Sequence, residues 1–275
     1  MTEKDRVRMR AFYDELAEGE WRRLVATPHA RVSYEVHRRF LDPFVRPRDR
    51  VLEIGAGPGR FTIELATRGA VVEVTDFSPV QLDLHRHHVG ASEAESAVAS
   101  RSLLDVCDTS RYQDATFDVV LAYGGPLSYA FEGIDDAMAG LFRIVKPGGY
   151  VVASVMSALG SWRYFLREVV EESRVAGEDA NDLVLTTGDL RHLPSAHVCQ
   201  MFRAREVDEL VTRHGGEMVA RSASNWASLE DPDVIEELEG DPDRWARFIE
   251  HEVAACAEPG ALDGGTHLLF AARRP

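Results

Sequence analysis

The stretch VLEIGAGPGR, residues 51–60, decides the fold. Val51, Leu52 and Ile54 make a short apolar strand, with Glu53 near its end. Gly55, Gly57 and Gly59 follow at alternate positions, so the backbone turns tightly and a ligand approaches closer than any Cβ would permit. A helix opening after such a turn aims its free N–H groups at that ligand. Strand, glycine-rich turn and helix in this order predict a site for a nucleoside-bearing cofactor.

Outward from this turn, strand and helix patterns alternate. Residues 70–75 (AVVEVT) read as a second strand ending at Asp76, and Ser78-Pro79 starts a helix with serine as N-cap and proline at its first position. A weaker third strand spans 97–104, a clear fourth spans 117–122 (FDVVLA), and a helix covers 135–145, its Asp135-Asp136 pair suiting a helix N-terminus. Lys146-Pro147-Gly148-Gly149 is a turn into a fifth strand, 150–155. This rhythm predicts an α/β fold with a mostly parallel sheet covered by helices on both faces.

On the N-terminal side, Lys4 to Leu24 reads as one helix with Phe12, Leu16 and Trp21 as its apolar stripe. A break at Thr27-Pro28 precedes a helix from Ala30 to Leu41 carrying Val32, Val36 and Phe40 on one face. Beyond residue 155, helical stretches at 161–175 and 181–191 interrupt the alternation. A helix at 205–214, a strand at 217–224, a helix at 242–257 and a strand at 266–272 complete the chain. The expected organisation is a helical lid over 1–48 and an α/β domain over 49–275 that contains a helical cap insertion over 157–200.

With 275 residues, 45% of them hydrophobic and 28% charged, the chain can bury one substantial core. No apolar run approaches the roughly 20 residues of a bilayer span. The opening MTEKDRVRMR lacks the apolar segment of a signal peptide, so a cytoplasmic location is expected. Cys107, Cys199 and Cys256 are scattered, which predicts neither a disulfide framework nor a metal site. The 46 acidic residues exceed the 31 basic ones, and the net charge of −15 opposes binding to a phosphate backbone. Arg22, Arg23, Arg38 and Arg39 then read as solvated helix faces and not as a nucleic-acid patch.

Three features separate the candidate cofactors. The glycines are spaced Gly-x-Gly-x-Gly, whereas a dinucleotide needs Gly-x-Gly-x-x-Gly to set its pyrophosphate on the helix end. Asp76, about 20 residues on, is placed to accept hydrogen bonds from ribose hydroxyls, which suits either cofactor. Asp105, after the third strand, is placed to accept one from an adenine amino group. Together they favour S-adenosylmethionine.

In their order and spacing, VLEIGAGPGR, EVTDFSP, LLDV, FDVVLAYGGPLSY and IVKPGGYVV resemble the successive motifs of class I S-adenosylmethionine-dependent methyltransferases. The resemblance spans about 51–155. It implies a Rossmann-like sheet of seven strands, mostly parallel, with an antiparallel last strand at 266–272. The opening FYDELAEGEWRRL resembles the lid of a bacterial small-molecule subgroup, in which a Gly-Pro-Leu-Tyr-His segment corresponds to GGPLSY. Ser128-Tyr129 stands here instead, so the role of that histidine does not transfer.

Residue by residue, the resemblance implies that Gly55, Ala56 and Gly57 lie against the methionine portion and that Glu53 reaches its ammonium group. It places Asp76 on the ribose, Phe77 against the adenine, Asp105 and the Val106 amide at the adenine edge, and Ala122 and Tyr123 beside the sulfonium. Tyr13 closes over the cofactor, and S-adenosylhomocysteine is the product. Gly59 reads instead as a helix–strand packing residue.

Methyl transfer is an in-line displacement at a carbon already activated by positive sulfur. Positioning supplies most of the catalysis, up to about 7–11 kcal/mol, and a general base adds roughly 10²–10⁴-fold for protic acceptors. Tyr34, His37 and Leu41 share one helix face and are expected to line an acceptor pocket, with His37 as base; a surface histidine on an arginine-rich helix is the alternative. His197, in SAHVCQMF, is a second candidate. Trp162, Tyr164, Phe165 and Trp226 suit either a pocket for a planar organic molecule or the insertion's own small core. A small-molecule acceptor, of the kind modified in secondary metabolism, is the leading expectation. A protein or RNA methyltransferase, a non-catalytic cofactor binder and a dinucleotide oxidoreductase are the alternatives. No membrane or nucleic-acid partner is expected, and both monomer and homodimer stay open.

Overall fold

The computed structural model describes residues 2–193 and 197–275. Three helices come first, α1 (Glu3–Leu16), α2 (Glu18–Arg23) and α3 (Pro28–Phe40). The alternating part follows as β1 (Arg50–Ile54), α4 (Arg60–Thr67), β2 (Val71–Asp76), α5 (Pro79–Gly90), β3 (Val98–Leu103), β4 (Phe117–Ala122), α6 (Ile134–Ile144) and β5 (Val145–Ser157). Helices α7 (Ala158–Tyr164), α8 (Leu166–Ala176) and α9 (Glu178–Thr187) lead to β6 (Met201–Phe202) and α10 (Ala204–Arg213). The chain closes with β7 (Glu217–Ala223), α11 (Pro232–Glu239), α12 (Pro242–Cys256) and β8 (His267–Arg273).

The main path through the sheet is β3-β2-β1-β4-β5-β8-β7. Its pairings are parallel from β3 to β5, and β8 runs antiparallel to both β5 and β7. This is the expected seven-stranded arrangement, with the two-residue β6 as an extra parallel pairing on β5. Strand order reverses between β1 and β4, and in open α/β sheets such a switch point opens a crevice beyond the carboxyl ends of the strands.

Side-chain alternation divides each central strand between two cores. Leu52 and Ile54 of β1, Val120 of β4, Val151 and Ala153 of β5 and Phe270 of β8 pack on one face. Val51, Val119, Leu121, Val152 and Leu269 pack on the other, where Val32 and Val36 of α3 join them. Fully buried aliphatic side chains of this kind stabilise by about 1.5–3 kcal/mol each, so both faces are covered and the strand ends are left for chemistry.

Several local expectations are corrected. Lys4 to Leu24 is two helices, because Ala17 takes φ 43° and ψ −121°. Phe12 is exposed, and Met9 is the buried member of α1. Thr27-Pro28 is a helix start, where Thr27 Oγ1 accepts from the Ala30 amide and Pro28 takes the first position. Lys146 to Gly149 lies within β5, where the register against β4 shifts. The region after β5 holds three helices where two were expected, and α11 was not anticipated.

Candidate functional site

Two joined cavities lie beyond the carboxyl ends of the strands. The smaller is built from the β1–α4 turn, the ends of β2 and β3, and α1. Gly55, at φ +70°, could carry no side chain, because a Cβ would stand 2.7 Å from Pro126 Cγ. Gly55, Gly57, Asp76, Phe77, Asp105 and Val106 all line this cavity, as does Tyr13 from α1. Asp76 is buried; its Oδ2 accepts from the Gly57 amide and its Oδ1 from the Ser78 amide, both at 2.8 Å. Burial pushes its carboxyl up to about 6, against the pull of those amides. Asp105 Oδ2 pairs with Arg6 at 3.1 Å, and the Arg10 guanidinium stands 4.6 Å from the centre of the Phe77 ring. Gln81, not foreseen from the sequence, donates from Nε2 to the Tyr13 carbonyl, while its buried Oε1 has no partner among the described residues.

The larger cavity, about 730 Å³, lies between α2, α3, the strand ends and the helices after β5. Tyr34 and His37 line it from α3, and Trp162, Tyr164 and Phe165 line it from α7 and the residue that follows. His37 is buried, contrary to the surface alternative, and its Nδ1 lies 2.8 Å from the Ser33 carbonyl. A carbonyl only accepts, so Nδ1 carries the proton and Nε2 keeps its lone pair. Burial lowers the imidazole to about 4, which keeps it neutral. Tyr34 donates instead to Glu64 Oε1 at 2.9 Å, and burial raises its phenol. Glu20, Gly55, Gly57, Tyr123 and Gly124 line both cavities and so mark their junction.

A chain of polar groups that the sequence did not reveal runs beside this junction. Tyr13 Oη and Tyr129 Oη are 2.6 Å apart, and Tyr129 Oη is 2.7 Å from His197 Nε2. The three residues belong to α1, the turn after β4 and the return from α9, so only the tertiary fold brings them together. Burial lowers His197 to about 4. Ser195 and Ala196, in the same stretch, lie outside the described residues.

Four of the expected site residues do not reach a cavity. Glu53 is buried beneath α4, where its Oε2 accepts from Thr62 Oγ1 at 2.5 Å, and burial raises it to about 8. Ala122 and Leu41 are fully enclosed in the two cores. Trp226 packs on Gly264, under the Arg163 guanidinium at 5.8 Å. Ala56 lines the larger cavity and not the smaller. Gly59 is a packing residue as expected, since a Cβ there would lie 2.4 Å from Val89 Cγ2. The arginines of α2 and α3 are neutralised in part, Arg23 pairing with Glu20, and Arg38 and Arg39 with Glu35.

Residues 51–149, the segment that builds the smaller cavity's floor, match the model of a methyltransferase domain. A demethylmenaquinone methyltransferase of Deinococcus radiodurans is 34% identical over 105 residues, 38% of this chain and 41% of that protein. The same enzyme of Corynebacterium kroppenstedtii is 29% identical over 168 residues, 57% and 66% of the two chains. The chain thus spans less than two thirds of the length of these relatives. Among solved structures, a chain from the complex between the Haloferax volcanii Trm112 methyltransferase activator and its putative methyltransferase superposes with TM-score 0.60 at 17% identity, covering 97% of both chains. Geranyl diphosphate C-methyltransferase from Streptomyces coelicolor superposes with TM-score 0.53 at 17% identity, covering 86% of this chain and 78% of that one. At such identities the superpositions speak for the fold alone. The segment 51–149 is thus similar to methyltransferase domains, and the fold around it is similar to that of solved methyltransferases.

Proposed function

We propose that the protein methylates a small, largely apolar organic acceptor, with S-adenosylmethionine in the smaller cavity and the acceptor in the larger. The observation that carries this reading is the junction, where residues of the glycine turn and Tyr123 face both cavities at once. The residues present fit the methyl donor. Gly55 leaves room that a Cβ would fill, three carboxylates (Glu20, Asp76 and Asp105) line one cavity, and the buried Gln81 Oε1 lacks a donor among the described residues. When bound, the donor supplies a methyl group on positively charged sulfur.

The chain's own residues position and deprotonate. Asp76 is held by two amides and keeps lone pairs free for ribose hydroxyls. Tyr13 of α1 lines the smaller cavity, and Glu20 of α2 stands at the junction. His37 Nε2 serves as the base for an acceptor O–H or N–H, its ring fixed through Nδ1 by the Ser33 carbonyl. Tyr34 and His197, the other candidates, are engaged with Glu64 and Tyr129, and act on acceptor orientation. The curated relatives named as demethylmenaquinone methyltransferases support an apolar ring-bearing acceptor, and the aromatic wall of α7 suits one. A role in secondary metabolism is part of the same proposal.

Incubation with methyl-labelled S-adenosylmethionine and a fractionated extract tests it. Label is expected in the apolar small-molecule fraction. Label confined to protein or RNA overturns the acceptor assignment, and cofactor binding without transfer to any fraction favours a non-catalytic binder.

A further inference from the structure

One arginine of the larger cavity differs from its neighbours. In a chain with 46 acidic residues, most cavity-side and helix-face arginines find carboxylates: Arg23 pairs with Glu20, Arg31 with Glu239 and Arg68 with Asp42 and Glu64. Arg60, in the first turn of α4, lines the cavity, and among the described residues no carboxylate lies within ion-pair distance of it. Its Nε donates to the Trp21 carbonyl at 2.6 Å, and its guanidinium carbon sits 4.0 Å from the centre of the Trp21 ring. The fork is therefore held in one plane before any ligand arrives, with its two terminal nitrogens uncommitted. Half-buried, it pays part of a desolvation cost that no counter-charge offsets, and its pKa is accordingly lowered. Of the other basic groups lining this cavity, Arg23 is paired with Glu20, and His29, His37, His197 and His267 are all lowered by burial; the glutamates Glu168 and Glu172 belong to α8.

We propose that Arg60 is the carboxylate-binding residue of this cavity, receiving a ligand carboxylate on its two terminal nitrogens. A rigid planar fork against an apolar wall suits bidentate recognition of that group. Two ligands of the proposed reaction offer it: an apolar carboxylic acid as acceptor, or the amino-acid end of the methyl donor. The inference rests on the reading of the two cavities as donor and acceptor chambers.

Two matched pairs of probes separate the sources. Calorimetry compares S-adenosylhomocysteine with 5′-deoxy-5′-methylthioadenosine, which lacks the amino-acid end. Ligand fluorescence compares 2-naphthoate with 2-naphthol. In Arg60→Gln, one carboxylate probe is expected to lose about tenfold or more in affinity while its neutral counterpart is unchanged, and Arg60→Lys recovers only part of the loss. Loss in the nucleoside pair assigns the donor's carboxylate, and loss in the naphthyl pair assigns the acceptor's. Unchanged preference in both pairs overturns the proposal, as does wild-type protein that holds neither carboxylate more tightly than its counterpart. If wild-type protein binds neither nucleoside, the donor-chamber reading fails, while the naphthyl pair still decides the role of Arg60.

Discussion

At the residue scale, Asp76, His37 and Glu53 show how one physical cause, burial, serves different ends. Asp76 keeps its charge near neutral pH because two amides point at it, and it faces the cofactor cavity. Asp76→Asn is expected to weaken S-adenosylhomocysteine by about 1.5–3 kcal/mol in calorimetry. His37→Gln, by contrast, should leave that affinity unchanged and lower the single-turnover rate by roughly 10²–10⁴-fold. Equal loss of binding and rate would place His37 in the cofactor site instead. Glu53 carries a different prediction. Its folded carboxyl is raised to about 8 from an ordinary value near 4.5. The folded state therefore binds a proton that the unfolded state has already released, and stability declines as pH rises through that window. In Glu53→Gln the decline between about pH 5 and 8 is expected to flatten, as read from urea midpoints.

At the element scale, the glycine turn and the α1–α2 junction mark what the sequence could and could not announce. Strands β1, β4 and β8 are legible because two-sided burial demands near-continuous apolar runs, and Ser78-Pro79 is legible because a cap acts within four residues. Asp76, Phe77, Asp105 and Tyr123 line a cavity because each sits at or just past the end of a strand that the apolar pattern locates. Glu53 and Ala122 line neither cavity, since a one-residue step along a strand end turns a side chain to the other face. The break at Ala17 left no trace, because alanine is the best helix former and its strained backbone is imposed by contacts elsewhere. Nor did the Tyr13–Tyr129–His197 chain, whose members are as much as 184 positions apart in the numbering of the sequence. Ala17→Gly is expected to stabilise by about 1 kcal/mol, since glycine adopts φ > 0 freely. Gly59→Ala should do the reverse, by roughly 1–3 kcal/mol, because its Cβ meets Val89. Thermal or urea unfolding measures both.

At the scale of the whole molecule, buried imidazoles set the acid limit. His37, His85 and His197 are lowered to about 4 and His267 to about 3, in each case first by burial. Below the ordinary imidazole value near 6.5 the unfolded chain takes up these protons first, so stability is lost as pH falls toward 4. Glu53 and Asp76 act in the opposite sense, against these four and against His29, whose imidazole burial also lowers. Urea midpoints are expected to drop from pH 6.5 to 4.5, and a rise over that range would show that the histidines are solvated.

The α1 helix contributes to one chamber only. Met9 and Tyr13 line the smaller cavity, whereas the larger begins at Glu20 and takes its walls from α2, α3 and the helices after β5. Besides Met9 and the rings of Phe12 and Tyr13 on His197 and Tyr129, α1 is held to the body by polar ties, among them Asp14 to Ser78, the Tyr13 carbonyl to Gln81 and Arg6 to Asp105. Such a segment opens at low free-energy cost. Under the proposed function, spent donor would leave through a door that the acceptor does not use, and neither ligand would bar the other's path. Binding order is therefore expected to be random, and a once-methylated acceptor can wait in place for a second donor. Product-inhibition patterns read the first consequence, and the ratio of singly to doubly methylated product early in the reaction reads the second.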